Sequence, residues 1–269
     1  MRPAIINIMD GAARKAARSL IHDFNEVEHL QVSRKGPADF VSEADRRAEN
    51  ILKRELEAAH PNFSLLLEES GLIGDTKAID QWIVDPLDGT TNFLHAIPHF
   101  CISIAHAHKG EVIEGIIFDP VRDEFFWAAK GHGAYIKNQR IRVSARGSLS
   151  DAVLATGIPF LGRGGKEEMM AMLPLVMEYT AGVRRFGSAA LDLAYVAAGR
   201  YDGFWEFGLS PWDVAAGILI VREAGGMVSD LDGRGDAANG KSILATNSAL
   251  YNSIGNLLRK GLRNKLKSM

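Results

Sequence analysis

The stretch Trp82-Ile-Val-Asp85-Pro-Leu-Asp88-Gly-Thr-Thr-Asn-Phe93 carries the densest chemistry in the sequence. Its opening residues are large and apolar, so they drive the chain into a core, and two aspartates follow at once. Pro86 has a fixed φ and stiffens the placement of one acid relative to the other. Two carboxylates about 5 Å apart repel by roughly 3 kcal/mol at an effective dielectric near 20, so a cluster of three or four costs several kcal/mol unless a cation offsets it. A hard divalent ion with oxygen ligands is the natural partner of such a cluster. Gly89-Thr90-Thr91 then reads as a turn that opens a helix. Glycine permits close backbone approach and the free N–H groups of a helix start can hold a phosphate, so Gly89 and Thr90 are candidate phosphate-binding residues. The plainer reading, with Asp88 and Thr90 as helix caps, explains neither Asp85 nor Pro86.

Outward from this stretch, residues 63–67 and 81–84 are short apolar runs that end in acids. They read as two buried strands, with 71–80 as a mobile loop between them. Both strands deliver carboxylates at their C-terminal ends: Glu68 and Glu69 from one, Asp85 and Asp88 from the other. Alone, paired glutamates are usually a solvated turn; beside Asp85 they gain weight. The third acidic candidate is Ser210-Pro-Trp-Asp213, a helix start with Ser at the N-cap, Pro at N1 and Asp at N3. On that stretch alone Asp213 reads equally as a cap and as a ligand, although Trp212, Ala215, Ala216 and Gly217 suggest a helix end pressed into a packed site. Asp45, three residues after Ser42, admits the same capping reading; its second role would be to polarise a hydroxyl or water near Thr90.

The rest of the chain frames these acids. Ile5, Ile6, Met9, Ala12, Ala13, Ala16, Leu20 and Phe24 follow a helical period. A turn-rich segment over 34–39 leads to Ser42, the expected N-cap of a helix running to about Ala59, where His60-Pro61-Asn62 stops it. From 101 to 143, alternating runs broken at Lys109-Gly110, Asp119-Pro120, Lys130-Gly131 and Lys137-Asn138 predict an antiparallel meander. Beyond it come a strand over 153–156, helices over 166–180 and 189–198, a strand over 201–207, a helix over 210–223, two short strands and a last helix after Asn247. The result is an α+β fold in mixed layers, expected as a single compact domain over 1–269 with any subdivision tight and near 143–151.

Composition narrows the function classes. The 269 residues carry a formal net charge of −2, so no bulk field points toward nucleic acid or membrane. No apolar run is long enough for a membrane span. The single cysteine, Cys101, permits no disulfide within the chain and fits a reducing cytoplasm. It has Ala107, not arginine, six residues onward, so a cysteine-phosphate route lacks its anion cradle. The spacing of Asp85 and Asp88 also differs from the D-x-D of aspartyl-phosphate enzymes.

Five segments together resemble the inositol monophosphatase family, most closely its bacterial SuhB-type branch: Asp39-Phe-Val-Ser-Glu-Ala-Asp45, Glu68-Glu-Ser70, residues 82–93, Gly187-Ser-Ala-Ala190, and Trp212-Asp-Val-Ala-Ala-Gly217 followed by Glu223-Ala-Gly-Gly226. The resemblance implies a layered αβαβα sandwich of the kind shared with fructose-1,6-bisphosphatases. It also implies several Mg²⁺ ions per site, inhibition by lithium and commonly a homodimer. By the same resemblance, Glu68, Asp85 and the carbonyl of Leu87 hold one ion, and Asp85, Asp88 and Asp213 a second. Thr90 and Asp45 orient the attacking water, and Glu68 assists a third ion through water. Asp88, Gly187, Ser188, Ala189, Glu206 and Asp213 match positions that face a polyol substrate. Two departures bear on the substrate: Ser210 stands where animal members carry histidine, and Glu43 adds an acid near Asp45. Fructose bisphosphate, histidinol phosphate and adenosine bisphosphate are the alternative substrates that the fold serves. SuhB-type proteins are also linked to transcription, which implies RNA polymerase or an elongation factor as a partner. Arg184, Arg185 and the basic tail at Arg259, Lys260, Arg263, Lys265 and Lys267 are the surfaces for it, although such a tail also reads as a solvated helix end.

Two other patterns compete. Residues 235–242 satisfy G-x-x-x-x-G-K-S, but a phosphate loop must open a helix, and Ile243-Leu-Ala-Thr246 reads as a strand. His95, His99, His106 and His108 raise zinc, but they lack a compact ligand set; His106 and His108 share one strand face and the other two lie in a loop.

Overall fold

The computed structural model describes residues 2–26, 32–36, 39–159, 164–233, 237 and 241–268. The first helix, α1 (Ala4–Asn25), buries Ile6, Met9, Ala13, Ala16 and Leu20 along one stripe. A hairpin follows, β1 (Val32–Gly36) against β2 (Asp39–Ser42), where the sequence predicts only a turn-rich segment. Helix α2 (Glu43–Ala59) begins directly after Ser42, as expected of an N-cap, and buries Ala44, Ala48, Leu52 and Leu56 at four-residue spacing. These two stripes pack on each other and on one face of the larger sheet, against Leu65, Leu67, Trp82, Val84, Ile102 and Ile104.

That sheet comprises β3 (Ser64–Leu67), β4 (Gly71–Ile73), β5 (Asp80–Asp88), β6 (Cys101–His108), β7 (Glu111–Asp119), β8 (Glu124–Ala129), β9 (Gly133–Ile136) and β10 (Gln139–Ile141), with the short helix α3 (Thr90–Leu94) after β5. Its strand order is β10-β9-β8-β7-β6-β5-β3-β4, antiparallel except for the parallel pair β3 and β5. The meander over 101–143 is thus present. The loop expected over 71–80 is corrected in part, since Gly71 and Ile73 pair with Leu67 and Leu65 as strand β4. Strand β5 also continues past Val84 to Asp88, with a register shift between Asp85 and Asp88. Pro86 lies inside that shift, where its missing N–H costs the ladder nothing.

The second half supplies β11 (Val153–Thr156), α4 (Lys166–Tyr179), β12 (Gly182–Arg184), α5 (Ala189–Ala197), β13 (Gly203–Phe207), α6 (Pro211–Glu223), β14 (Met227–Ser229), β15 (Ser242–Thr246) and α7 (Tyr251–Ser268). Its sheet has the order β12-β11-β13-β15-β14. Every residue of α5 is buried and so are eight consecutive residues of α6, because both helices lie between the two sheets. Ile83, Cys101, Ala105 and Phe126 meet them from one side, and Ala155, Phe204, Ile243 and Ala245 from the other. Met169, Met172, Val176, Ile254 and Leu258 of α4 and α7 cover the outer face of the smaller sheet. The layers are therefore αβαβα. Lys241-Ser242 of the G-K-S pattern leads into β15 and opens no helix; most of the preceding loop lies outside the described residues.

The histidines on β6 serve the sheet. His106 Nδ1 stands 2.7 Å from Glu114 Oε2 and its Nε2 stands 3.0 Å from Asp80 Oδ1, which His108 Nδ1 also meets at 2.7 Å. Burial disfavours the charged imidazole, but these carboxylate bonds outweigh it and raise the pKa of His106 above the ordinary 6.5. A raised value in the folded state stabilises fully below about pH 6.5 and is lost as the pH climbs through the folded pKa. The melting temperature of the protein is therefore expected to fall across that window by more than it does in His106→Gln. At pH 6 the variant should be less stable by about 1–3 kcal/mol in urea titrations, since it leaves a carboxylate short of a charged partner.

Candidate active site

Strand β5 carries Asp85 into the interior, where it is 2% exposed. Its Oδ1 accepts the N–H of Leu87 at 2.9 Å, which folds the Asp-Pro-Leu turn back on itself. The parallel pairing of β3 with β5 continues one step, with Glu68 N–H donating to Val84 O at 3.2 Å, and this sets Glu68 beside Asp85. Burial, followed by the charges of Glu68, Asp88 and Asp213, pushes the pKa of Asp85 well above the carboxylate range. Asp85 is also within hydrogen-bonding reach of Glu68.

Asp88 is held from the other half of the chain. The hydroxyl of Ser188 donates to its Oδ2 at 2.6 Å and the N–H of Ala190 at 2.7 Å, both from the N-terminal turn of α5. Burial raises its pKa to about 6, against the pull of those donors. Asp213, at N3 of α6, accepts the N–H of Ser210 at 2.7 Å on Oδ2. The capping reading of Asp213 thus holds, and burial and the neighbouring Asp88 push its pKa well up while the capping bond pulls it down. Cys101 lies 3.9 Å from Asp88 Oδ2, and burial holds its thiol well above the ordinary value, far from a reactive thiolate.

On the α2 side, the hydroxyl of Thr90 stands 3.0 Å from Asp45 Oδ1 and 3.1 Å from Leu87 O. Its one hydrogen can serve either acceptor, and the buried Asp45 fixes the hydroxyl from the first turn of α2. Gly89 precedes α3 in the left-handed region, with φ of +100°. A Cβ there would approach His99 O to 3.0 Å and Phe100 Cα to 3.3 Å, so only glycine brings this backbone so close to the next strand. Gly187, Ser188 and Ala189 form the start of α5 against Asp88, and Glu206 closes β13 within the electrostatic reach of Asp213.

Two supports escaped sequence reasoning. Buried Glu49 accepts the N–H of Glu69 at 2.8 Å and the hydroxyl of Ser70 at 2.5 Å, so it holds the turn that presents Glu68. The signal was its place four residues after Asp45, two acids within a buried helical stripe. Asn92 Nδ2 donates to His99 O at 2.8 Å and Phe186 O at 2.7 Å, tying α3 to the segment before Ser188.

All four acids thus act on one region, Asp85 and Asp88 from β5, Glu68 from the end of β3 and Asp213 from α6. Among the described residues, no group of three or more His, Cys, Asp or Glu side chains stands placed to hold a metal ion. The acids share one electrostatic field without forming a ligand shell. The carboxylates and the carbonyl of Leu87 are the hard oxygens that suit a small divalent cation, and a cation would relieve the repulsion that, after burial, raises Asp85 and Asp213.

A model of the inositol monophosphatase family matches residues 3–263. The chain belongs to that family. An inositol-1-monophosphatase of Mesorhizobium japonicum is 51% identical over 97% of this chain and 98% of its own length. A Nus factor SuhB of Pseudomonas aeruginosa is 43% identical over 99% and 100%. The solved extragenic suppressor protein suhB of Bartonella henselae superposes with a TM-score of 0.93 at 52% identity, covering 96% of this chain and all of that one. The family is one of phosphatases, generally metal-dependent, and this chain is an enzyme of that class. No helix among the described residues is long and apolar enough to cross a membrane.

Replacing Gly89 with alanine adds both the strained φ and the contact with His99 O. The expected cost is about 1–3 kcal/mol, measured as a lower midpoint in urea unfolding, with phosphatase activity reduced as the β5–α3 turn shifts.

Proposed function

We propose that the chain hydrolyses a polyol monophosphate, with myo-inositol monophosphate as the leading substrate, by direct attack of water in a Mg²⁺-dependent reaction. The observation that carries this reading is Asp85, buried at the end of β5 in the combined field of Glu68, Asp88 and Asp213. Glu68, Asp85 and the carbonyl of Leu87 would hold one ion and Asp85, Asp88 and Asp213 a second, with Glu68 assisting a third through water. Held by these residues, Mg²⁺ would supply positive charge to the phosphoryl and leaving oxygens and would make water more acidic.

The chain's own residues set up the rest. Thr90 gives its hydrogen to Asp45 Oδ1 at 3.0 Å, and so keeps a lone pair to orient a water for in-line attack. The amides of Gly89 and Thr90 are the phosphate contacts, supported by the close approach that Gly89 permits. Asp88, Gly187, Ser188, Ala189, Glu206 and Asp213 would face the alcohol. No covalent phosphoenzyme is required, and the raised thiol of Cys101 offers none. We also propose that residues 1–269 act as one unit and associate as a homodimer. The exposed Arg184 and Arg185 are the surface for a transcription partner, a role that the Nus factor names of relatives bring to this chain.

Asp85→Asn is expected to abolish turnover and leave the far-ultraviolet circular dichroism unchanged, because removing a buried repulsive charge offsets the lost ligand. Excess chelator should stop phosphate release by the unsubstituted protein, and lithium should suppress it. In a panel of esters, inositol monophosphate should outrun fructose bisphosphate and adenosine bisphosphate. Release that persists in chelator contradicts the mechanism, and preference for the nucleotide contradicts the substrate class.

A further inference from the structure

Glu206 places its carboxylate where another residue's side chain would stand. Gly157 follows β11 directly, and Thr156 pairs with Trp205 across the β11–β13 ladder. The hydroxyl of Thr156 donates to Trp205 O at 2.7 Å, which locks the two strand ends together. A Cβ built on Gly157 would lie 1.9 Å from Cδ and Oε1 of Glu206 and 2.2 Å from Oε2. Nothing else comes nearer, and the backbone of Gly157 is outside the left-handed region, so no turn demands glycine here. The absent side chain forms the slot in which the acid rests.

A buried neighbouring acid also acts on Glu206. Asp192 of α5 is 1% exposed, its Oδ1 has no hydrogen-bond partner, and Glu206 is the foremost charge acting on it. A Glu206 carboxylate driven inward would meet a second acid in a poorly solvated interior, which like-charge repulsion opposes. Displaced from Gly157, the carboxylate has to leave its present position.

We propose that Gly157 is a positioning residue for alcohol recognition, its bare Cα holding the Glu206 carboxylate toward the hydroxyls of a polyol substrate. The inference rests on the reading of Glu206 as an alcohol contact. Gly157 thus belongs to the specificity of the enzyme and is separate from the ion-binding acids. A carboxylate hydrogen-bonded to a hydroxyl discriminates for substrates that carry it, so its loss should show on polyol esters and spare esters without hydroxyl groups.

The test compares Gly157→Ala, Glu206→Ala and the double variant in the Mg²⁺-loaded enzyme, with inositol 1-phosphate and p-nitrophenyl phosphate. For inositol 1-phosphate, Gly157→Ala should lower kcat/KM about 10-fold or more, mainly through KM. For the aryl ester it should change kcat/KM by less than about twofold. In the Glu206→Ala background the same substitution should add nothing, and melting temperatures should be kept, since the three atoms nearest the new methyl belong to the Glu206 carboxylate. An equal fall on both esters overturns the proposal, as does a fall, or a loss of melting temperature, that persists undiminished without Glu206. If Glu206→Ala lowers activity on inositol 1-phosphate while Gly157→Ala does not, the positioning role fails and the alcohol contact survives. If Glu206→Ala leaves the inositol ester unaffected, the underlying reading fails with it.

Discussion

Like-charge repulsion at the end of β5 is the constraint around which this molecule is arranged. Asp85 has almost no water around it and faces Glu68, Asp88 and Asp213. Each such pair at about 5 Å opposes folding by roughly 3 kcal/mol at an effective dielectric near 20. The protein answers with donors to three of these acids: Leu87 N–H for Asp85, the Ser188 hydroxyl and Ala190 N–H among those for Asp88, and Ser210 N–H for Asp213. Hydrogen bonds to charged groups contribute about 1.5–3 kcal/mol each, so these donors offset the repulsion only in part. The remainder is an electrostatic deficit that either protonation, as the raised pKa values of Asp85 and Asp213 indicate, or a bound cation would relieve.

Helix direction reinforces the arrangement. Asp45 lies in the first turn of α2, Thr90 opens α3, Ser188 precedes α5 and Asp213 lies in the first turn of α6. Four helix starts therefore converge on the carboxyl end of β5, and their positive dipole ends both ease the acids and favour a phosphate. The αβαβα layering makes this convergence possible. α2 reaches the site from the outer layer, while α5 and α6 reach it from between the sheets. Glu68, Asp85 and Asp88 come from the first half of the chain and Ser188, Glu206 and Asp213 from the second, so the site exists only where the two halves meet.

Much of this was legible in the sequence because the signals were local. Apolar runs ending in acids, Ser-Pro-Trp-Asp as a helix start, and turn pairs at regular spacing each specify structure within a few residues. What escaped was non-local. Strands β4 and β12 are only three residues long and exist through pairing with β3 and β11. Glu49 looks like an ordinary surface acid until the Glu69-Ser70 turn is seen to rest on it. His106 and His108 share one strand face, as the sequence indicates, but the acids that decide their role, Asp80 and Glu114, lie on adjacent strands. The glycine at 157 gives no turn signal, since its reason is a carboxylate from another strand.

Crystals grown with Mn²⁺ in place of Mg²⁺ offer the most direct test, because anomalous scattering locates the ion independently of any assay. The account predicts peaks within ligand distance of Asp85, one shared with Glu68 and the carbonyl of Leu87 and one with Asp88 and Asp213. Fully occupied manganese elsewhere, with the four acids hydrogen-bonded only to protein and water, would contradict it.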